Sequence, residues 1–461
     1  MPLIKNDIID LEITSLSNDG NGVGRSGGMA VFVPFTAVGD VLKVRVVKVC
    51  KSYAFGIISE IIKGGAGRIV PDCPIFGKCG GCCFRHISYE AELAAKRGFV
   101  EDAMRRIGGI DAEIGEIIPS PAAERYRNKV QYPVIEGENG QLQAGFFAGR
   151  SHRVIPCADC LLQPENLNNI ANDACEILTK LGVKAYDEAS HKGLLRHIYL
   201  RDAVTSGEVL LCLVINGKTL PNADKFCEEI LRLHSEIKTI VLNINTERTN
   251  VITGKKCVTL YGKGSIDDVM SGVPVELNPL SFYQVNTRGA NVLYAEAARL
   301  ASLNGDEVLL DLYCGAGTIG LSMAANCKKL IGVEIIPEAI ESARRNASKM
   351  GVTHSDFICS DAGTAAKQLA ESGLSPDVII LDPPRKGCDE QTITAVVQMH
   401  PARIVMVTCN PTTAARDLAA LQSNGYTIDA ITPVDMFPRT KHVETCVLLS
   451  HKNPQTSPPS L

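Results

Sequence analysis

The chain lacks any stretch of 18 consecutive apolar residues, so no segment is a candidate for a membrane-spanning helix. Its first ten residues, MPLIKNDIID, mix acidic with apolar side chains, so we expect no signal peptide. Positive charge is not in excess either, because the formal net charge is −4. A nucleic-acid partner would therefore have to bind at local basic patches. These absences, with no internal repeat, predict a cytoplasmic, multidomain protein without a membrane partner.

Cysteine, in contrast, is abundant, with 17 residues in a chain of 461. Disulfides are rare in reducing compartments, so we expect buried thiols, metal ligands or nucleophiles. Cys73, Cys79 and Cys82 form the pattern C-x5-C-x2-C, and 157-CADC-160 offers a further thiolate. One interpretation pairs 79-CGGC-82 with 157-CADC-160 as a four-cysteine zinc site, and another is a [4Fe–4S] cluster, which is also held by four thiolates. Merely buried or reactive thiols are a third interpretation. The spacing alone does not choose between the two metal centres.

The pattern of apolar residues changes along the chain and predicts three folded regions. Residues 1–64 contain short strands separated by glycine turns, which is typical of a small OB-like β-barrel. Residues 65–275 have a mixed α+β pattern and contain the cysteine cluster. In residues 276–451, apolar runs alternate with helical segments, which predicts a Rossmann-like α/β domain. The polar, proline-rich residues 452–461 are expected to be disordered.

A glycine-rich turn follows the first predicted strand of the α/β region. In 307-EVLLDLYCGAGTIGLSMA-324, Gly315, Gly317 and Gly320 form G-x-G-x-x-G. The next strand ends in Glu334, where a carboxylate can accept hydrogen bonds from ribose hydroxyls. This combination fits an NAD-dependent dehydrogenase as well as a methyltransferase that uses S-adenosyl-L-methionine.

A later strand ends in a proline-stiffened loop, 378-VIILDPPRKG-387. Asp382 should lie at the carboxyl edge of the sheet, where open α/β sheets bind their ligands. Methyltransferases that act on bases use such a D/N-P-P loop beside the methyl donor, and a simple turn is the alternative interpretation. Arg385 occupies the position where amine methyltransferases usually have an aromatic residue, which argues against an amine target.

The strand in 403-RIVMVTCNP-411 ends in Cys409. Asn410 is a good N-cap and Pro411 a good first helical residue, so a helix should begin here. A thiol at a helix N-terminus is favoured as thiolate. A packing role for Cys409 is the alternative, but its predicted position at the same edge as Asp382 favours a nucleophile.

A nucleophilic thiol would explain how a carbon atom of a pyrimidine could be methylated. C5 of uracil is a poor nucleophile until a thiolate adds at C6 and turns the ring into an enolate. A base must then remove the C5 proton so that the thiol can leave. Glu444, in 437-FPRTKHVETCVLL-449, is the candidate base, although a solvated charge at a strand entry is also possible.

Together, DLYCGAGTIG, LDPPRKG, TCNPTTAARDL and FPRTKHVETCVLL resemble the RNA uracil-5-methyltransferases over nearly the whole chain. The resemblance is to the enzymes that make 5-methyluridine in 23S rRNA, with a tRNA-acting sister group. Residues 8–62 are similar to the RNA-binding TRAM module, and its basic strands, with Lys43, Arg45 and Lys48, are either RNA contacts or a solvated face. The resemblance implies a [4Fe–4S] cluster on Cys73, Cys79, Cys82 and Cys160, with Cys83 and Cys157 as bystanders.

The same resemblance implies the remaining site residues. Cys409 and Glu444 would be catalytic, and Arg127 and Lys129 would lie near the target base. The residues that would hold S-adenosylmethionine are Gln284, Tyr313, Glu334 and Asp382. We therefore expect a monomeric, S-adenosylmethionine-dependent 23S rRNA uridine C5-methyltransferase. The alternatives are a tRNA uridine C5-methyltransferase, an NAD-dependent redox protein with a metal centre, and a non-catalytic RNA-binding module.

Overall fold

The structure, a computed structural model, describes residues 3–451, and the tail predicted to be disordered, 452–461, lies outside the described residues. The N-terminal region is a six-stranded sheet, as expected from its short alternating strands. In the fifth strand Leu42, Val44 and Val46 point into the core, while Lys43 and Arg45 point to solvent. The strands are β1 (Ile8–Glu12), β2 (Ser15–Leu16), β3 (Asn21–Ser26), β4 (Met29–Pro34), β5 (Val41–Val49) and β6 (Tyr53–Lys63), in the order β1-β5-β6-β4-β3-β2.

The central region forms a seven-stranded sheet with two helices. Its strands and helices are β7 (Lys129–Glu136), β8 (Leu142–Phe147), β9 (Val154–Pro156), α2 (Glu165–Lys180), β10 (Leu195–Asp202), β11 (Val209–Ile215), α3 (Ala223–Leu233), β12 (Ile237–Ile244) and β13 (Lys256–Tyr261). β11 reads VLLCLVI and is buried throughout. This continuous apolar run arises because both faces of the sheet are covered, one by α2 and α3 and the other by the C-terminal core.

The C-terminal region contains the second seven-stranded sheet, in the order β18-β17-β16-β19-β20-β22-β21. β18 to β20 in this order run parallel, and the β21–β22 hairpin adds antiparallel strands at one edge. The elements are β14 (Ile266–Met270), β15 (Val273–Leu277), α4 (Thr287–Ala301), β16 (Val308–Leu312), α5 (Thr318–Met323), β17 (Lys329–Glu334), α6 (Pro337–Lys349), β18 (Ser355–Cys359), α7 (Ala362–Glu371), β19 (Val378–Leu381), α8 (Glu390–Gln398), β20 (Arg403–Thr408), α9 (Pro411–Ser423), β21 (Tyr426–Val434) and β22 (Glu444–His451).

Helix α1 (Tyr89–Ala103) is remote in sequence from this second sheet but packs against it. Ser88 caps its first turn, and Val100 and Met104 join the apolar core under the sheet. The helix thereby lies beside residues 435–443, the connection between β21 and β22. No helix between residues 3 and 451 combines the length and the hydropathy needed to cross a bilayer.

Candidate active site

The parallel strands bring the predicted residues to one edge of the sheet. Glu334 is the last residue of β17, Asp382 directly follows β19, and Cys409 directly follows β20. These three strands run parallel in one sheet, in the order β17-β16-β19-β20, so their carboxyl ends lie at the same edge. The edge therefore gathers the predicted nucleophile and two of the predicted cosubstrate ligands.

The helix after Cys409 is confirmed. α9 begins with Pro411, and the Asn410 side chain accepts a hydrogen bond from the Thr412 N–H at 3.1 Å. The predicted stabilisation of the thiolate is outweighed, however. Burial raises the pKa of Cys409, as do the charges of Glu444 and Asp382, and the guanidinium of Arg385 opposes this increase. Burial and the two carboxyl groups therefore favour the protonated thiol, and Arg385 favours the thiolate.

Glu444 lies within electrostatic reach of the thiol. It is the first residue of β22, is 7% exposed, and pairs across the hairpin with Val434. Burial raises its pKa to about 8, with a further increase from Asp382 and an opposing effect of Arg385. Burial likewise raises the pKa of Asp382 to about 7. A carboxyl group with a pKa near neutrality can accept and release a proton under ordinary conditions, as a general base must.

A buried carboxyl group beside the glycine-rich turn was not predicted from the sequence. Asp311 in β16 is 1% exposed, and its Oδ2 accepts the Gly320 N–H at 2.9 Å. Burial raises its pKa to about 8, and its Oδ1 has no hydrogen-bond partner within the described chain. A side chain at Gly320 would meet this carboxylate, which explains the glycine. An acidic residue inside the apolar run VLLDL was the available signal.

Glu334 is held by the same turn. Its carboxylate accepts the Gly315 N–H at 3.1 Å and the Ile336 N–H at 3.0 Å. Asp311 interacts electrostatically with both Glu334 and Asp382. Three carboxyl groups therefore surround the glycine turn, an arrangement that suits a ligand with a positive charge.

Gln284 and Tyr313 also lie near this edge of the sheet. Tyr294 in α4 hydrogen-bonds Thr318, and its hydroxyl is also in contact with Gln284 and in the field of Asp382. Tyr313 follows β16 with a positive φ of 69°, a strained conformation outside glycine, and its hydroxyl lies 3.4 Å from Thr392. All four predicted cosubstrate residues thus lie at the glycine-rich turn or beside residues that adjoin it.

Arg127 and Lys129 lie in a segment that contacts both Gln284 and the loop that precedes Glu444. Between them, Asn128 donates to the Gln284 carbonyl at 2.8 Å, and the preceding Tyr126 donates to the Pro438 carbonyl at 3.0 Å. Burial, Arg201 and Arg127 lower the pKa of Lys129 to about 8. Arg127 is close enough to His442 to disfavour its charged form.

A cavity of about 210 Å³ opens beside Cys409. Its wall includes Arg385, Asn410, Lys441 and His442. Burial and the nearby cations, Arg385 first among them, lower the pKa of His442 to about 4, so its imidazole is neutral near pH 7. The cavity is smaller than the roughly 300–1,000 Å³ of drug-sized pockets.

The cysteines of the central region converge from two segments. Cys79 interacts electrostatically with Cys73 and Cys160, and Cys82 interacts with Cys79 and Cys160. Cys157 hydrogen-bonds Cys160, which lowers the pKa of Cys160 to about 6. Even so, no group of three or more His, Cys, Asp or Glu side chains in residues 3–451 is arranged as a metal site. The predicted iron–sulfur cluster stays a prediction.

Comparisons with known proteins agree with this geometry. The family model described as tRNA (uracil-5-)-methyltransferase matches residues 88–452. The chain belongs to this family. A TRAM domain model matches residues 4–58, which confirms the expected N-terminal module.

Relatives of this uracil-5-methyltransferase family member match it over nearly its full length. An uncharacterised RNA methyltransferase of Clostridium tetani is 41% identical over 98% of both chains. Another from Halalkalibacterium halodurans is 42% identical over 98% of this chain and 99% of its own. The Pyrococcus abyssi tRNA (uracil-54, C5)-methyltransferase, solved with S-adenosyl-L-homocysteine, superposes with a TM-score of 0.76. It is 26% identical, covering 96% of this chain and 100% of its own.

Membership of this family confirms the prediction of an RNA uracil-5-methyltransferase and makes RNA its substrate class. It overrules the NAD-dependent redox alternative, which rested on the glycine turn and the cysteines, and the non-catalytic binding module.

Proposed function

We propose that this protein uses S-adenosylmethionine to form 5-methyluridine in 23S rRNA through a covalent bond between Cys409 and the target base. The observation that carries the proposal is the proximity of three groups: Cys409 and Arg385 line one cavity, and Glu444 lies within electrostatic reach of both. A thiol, a carboxyl base and a cation are the groups that C5 methylation requires. An amine or ring nitrogen would not need the thiol.

S-adenosylmethionine fits the carboxyl-rich edge around the glycine turn. Gln284, Tyr313, Glu334 and Asp382 would hold it, and the unpaired Oδ1 of Asp311 adds a buried acceptor there. When bound, the cosubstrate supplies an electrophilic methyl group on a sulfonium cation. The negative charge of Glu334 favours that cation, and the cation would in turn favour the ionised form of Asp382.

The chemistry of the chain's own residues has two parts. Arg385 favours loss of the Cys409 proton to solvent water. The thiolate then forms a bond to C6 of the uracil, and the electron pair of the C5–C6 double bond moves to C5. After C5 is methylated, the carboxylate of Glu444 takes the C5 proton. The electrons of the C5–H bond form the C5–C6 double bond as the C6–sulfur bond breaks, and the thiolate is restored.

The base has to leave its stack before the thiolate can approach its face, so a loop or single-stranded uridine is the expected target. The resemblance to enzymes that combine a TRAM module with a cysteine cluster supports 23S rRNA. The Pyrococcus abyssi enzyme favours tRNA as a second candidate, and it aligns with 96% of this chain, barrel included. The barrel alone therefore does not distinguish the two substrates.

Methyl transfer from labelled S-adenosylmethionine to 23S rRNA and tRNA transcripts tests the substrate. Mass spectrometry of both RNAs from a deletion strain gives the matching result in cells. We expect label in 23S rRNA and loss of 5-methyluridine there, and label in tRNA alone would select the second candidate. Cys409→Ala should abolish transfer, whereas Cys359→Ala, an exposed cysteine on β18, should not.

A four-thiolate cluster is proposed for the cysteines of the central region. Cys79 interacts electrostatically with Cys73 and Cys160, and Cys82 interacts with Cys79 and Cys160. This proximity supports the proposal, because a [4Fe–4S] cluster would need all four thiolates. Arg85 interacts with Cys82 and Cys160 and would favour their thiolate forms.

A further inference from the structure

The cavity beside Cys409 is not formed by the catalytic domain alone. Asn18, from the turn between β2 and β3 of the N-terminal barrel, is part of its wall, together with Cys409, Arg385, Lys441 and His442. Asn18 and Cys409 lie in different domains at opposite ends of the sequence. Nothing in the resemblance or the family matches gives Asn18 a role.

The turn that carries Asn18 has a defined shape. The Gly20 N–H donates to the Ser17 carbonyl and the Ser17 N–H donates to the Asn21 carbonyl, each at 2.8 Å. Gly20 adopts a positive φ of 79°, which favours glycine. These hydrogen bonds close the turn on both sides of Asn18, so they restrain the backbone position of this residue.

Two contacts attach this turn to the rest of the protein, one to Lys441 of the catalytic domain and one to Cys83 and Phe84 of the central region. Lys441 Nζ donates to Asp19 Oδ1 at 2.8 Å. Gly20 is buried against Cys83 and Phe84, where an added Cβ would lie 3.4 Å from the Cys83 sulfur. The Cys83 N–H in turn donates to the Arg439 carbonyl at 2.9 Å. An exposed ion pair contributes little by itself, so the buried backbone of Gly20 is the firmer attachment.

Asn18 has an amide that is free to bind. Its side chain is exposed and has no hydrogen-bond partner among residues 3–451. The other polar groups of the wall include the cations Arg385 and Lys441, which suit phosphate oxygens. A carboxamide carries both a donor and an acceptor, and uracil offers two carbonyl oxygens and one N–H on its edge.

We propose that Asn18 is a substrate-contacting residue that hydrogen-bonds the target nucleotide beside Cys409, so that the barrel completes the uridine pocket. The inference rests on the proposed function, because it takes the occupant of the cavity to be the target uridine. The barrel would then act directly at the reacting base, in addition to any contact of its basic strands with phosphates.

The test uses the full-length protein and a 23S rRNA transcript that contains 5-fluorouridine. With fluorine at C5 no proton can be removed, so the adduct on Cys409 persists in a denaturing gel. Asn18→Ala should slow adduct formation at subsaturating RNA, and weaken RNA binding, by about 3- to 10-fold, the effect of one hydrogen bond. Ser52→Ala, an exposed neutral residue of the barrel in the turn between β5 and β6, should match the wild type.

The salt dependence of RNA affinity distinguishes the loss of the Asn18 contact from a general loss of RNA binding by the barrel. A neutral amide releases no counterion, so Asn18→Ala should keep the wild-type slope of affinity against salt. Wild-type adduct rate and affinity for Asn18→Ala would overturn the proposal, as would an equal loss in Ser52→Ala. If the wild type forms no adduct while Asn18→Ala still weakens RNA binding, the result would contradict the covalent mechanism and support the Asn18 contact.

Discussion

Lys96 Nζ donates a hydrogen bond of 2.7 Å to Asp435 Oδ1, joining two residues that are 339 positions apart in the chain. The same ammonium donates to Glu92 at 2.6 Å and to the Phe437 carbonyl at 3.0 Å, and the Lys96, Glu92 and Asp435 side chains are all fully buried. The ion pairs fasten helix α1 to the connection between β21 and β22. Glu444 begins β22, so this network positions the hairpin that carries the proposed base.

Lys96→Met should destabilise the protein strongly. Removal of the ammonium leaves Asp435 buried without an ion-pair partner among the described residues and leaves Glu92 only the Arg439 guanidinium at 3.8 Å. The loss of one partner of a buried ion pair typically costs about 3–5 kcal/mol. The free energy of unfolding from denaturant titration measures the effect. Lys180→Met is the matched control, because its i,i+4 pair with Glu176 is exposed, and it should leave the unfolding midpoint unchanged. Equal midpoints for the two variants would contradict a structural role of the Lys96 network.

Glu444→Gln should allow methylation but trap the product on the enzyme. Glutamine cannot take the C5 proton, so a methylated adduct should accumulate on ordinary uridine and appear as a shifted band in a denaturing gel. Asp429→Asn, an exposed acid on the neighbouring strand β21, should turn over normally. An adduct that is absent from Glu444→Gln while methylated RNA is released would assign the base to another residue.

The pH dependence of adduct release should report on the same carboxyl group. Burial and the charge of Asp382 raise the pKa of Glu444 to about 8, and only the deprotonated form accepts a proton. Release should therefore be slow below this pKa and rise as the pH passes through it. A rapid pH jump on preformed adduct, followed by quenching, separates release from the earlier ionisation of Cys409. A release rate that is independent of pH in the wild type would exclude Glu444 as the group that titrates.

The grouping of site residues at one edge of the sheet was predictable from the sequence, because it depends on local patterns. Apolar strands that end in Glu334, Asp382 and Cys409 must place those residues together if the strands run parallel, and Asn410-Pro411 marks the helix start by itself. The site nevertheless contains groups that no local pattern indicates.

Asn18 and Lys96 illustrate what could not be predicted. Asn18 looks like an ordinary turn residue, and its place beside Cys409 depends on how the barrel docks. Lys96 looks like a surface charge on a helix, and it is buried only because α1 packs under the second sheet. Both positions follow from contacts between distant segments, which neither periodicity nor capping signals encode. Asp311, by contrast, was visible as an acid in an apolar strand.

The basic strand of the barrel should act through phosphates. Lys43, Arg45 and Lys48 are exposed along β5, although Lys43 is 3.2 Å from Glu60 and is partly neutralised. Replacing all three with alanine should weaken RNA binding and reduce the slope of log affinity against log salt by about 1–2, given about 0.7 per phosphate contact on single strands. Filter binding at several salt concentrations measures both quantities. An unchanged slope and affinity would show that these charges form a solvated face.

The assignment of the cluster ligands can be tested one thiol at a time. Protein purified without oxygen should be brown, with about four irons per chain and absorbance at roughly 400 nm. Cys160→Ser should lose both iron and colour, whereas Cys157→Ser should keep them, because the resemblance makes Cys157 a bystander. Cys83→Ser should also keep the colour, since the resemblance makes Cys83 a bystander and its thiol lies in the field of Glu92 and Lys96 of helix α1.

Cys227→Ser, on α3 and outside the cysteine cluster, controls for the general effect of removing a thiol. Loss of iron in Cys157→Ser with retention in Cys160→Ser would exchange the two assignments. A colourless protein that holds one tightly bound zinc ion would replace the cluster with a structural zinc site, which four thiolates also form. The adduct assay with 5-fluorouridine RNA, applied to the iron-free variants, then shows whether the centre acts on the active site. Because Cys83 and Phe84 both donate to the Arg439 carbonyl in the loop before Glu444, loss of the centre should slow adduct release more than adduct formation.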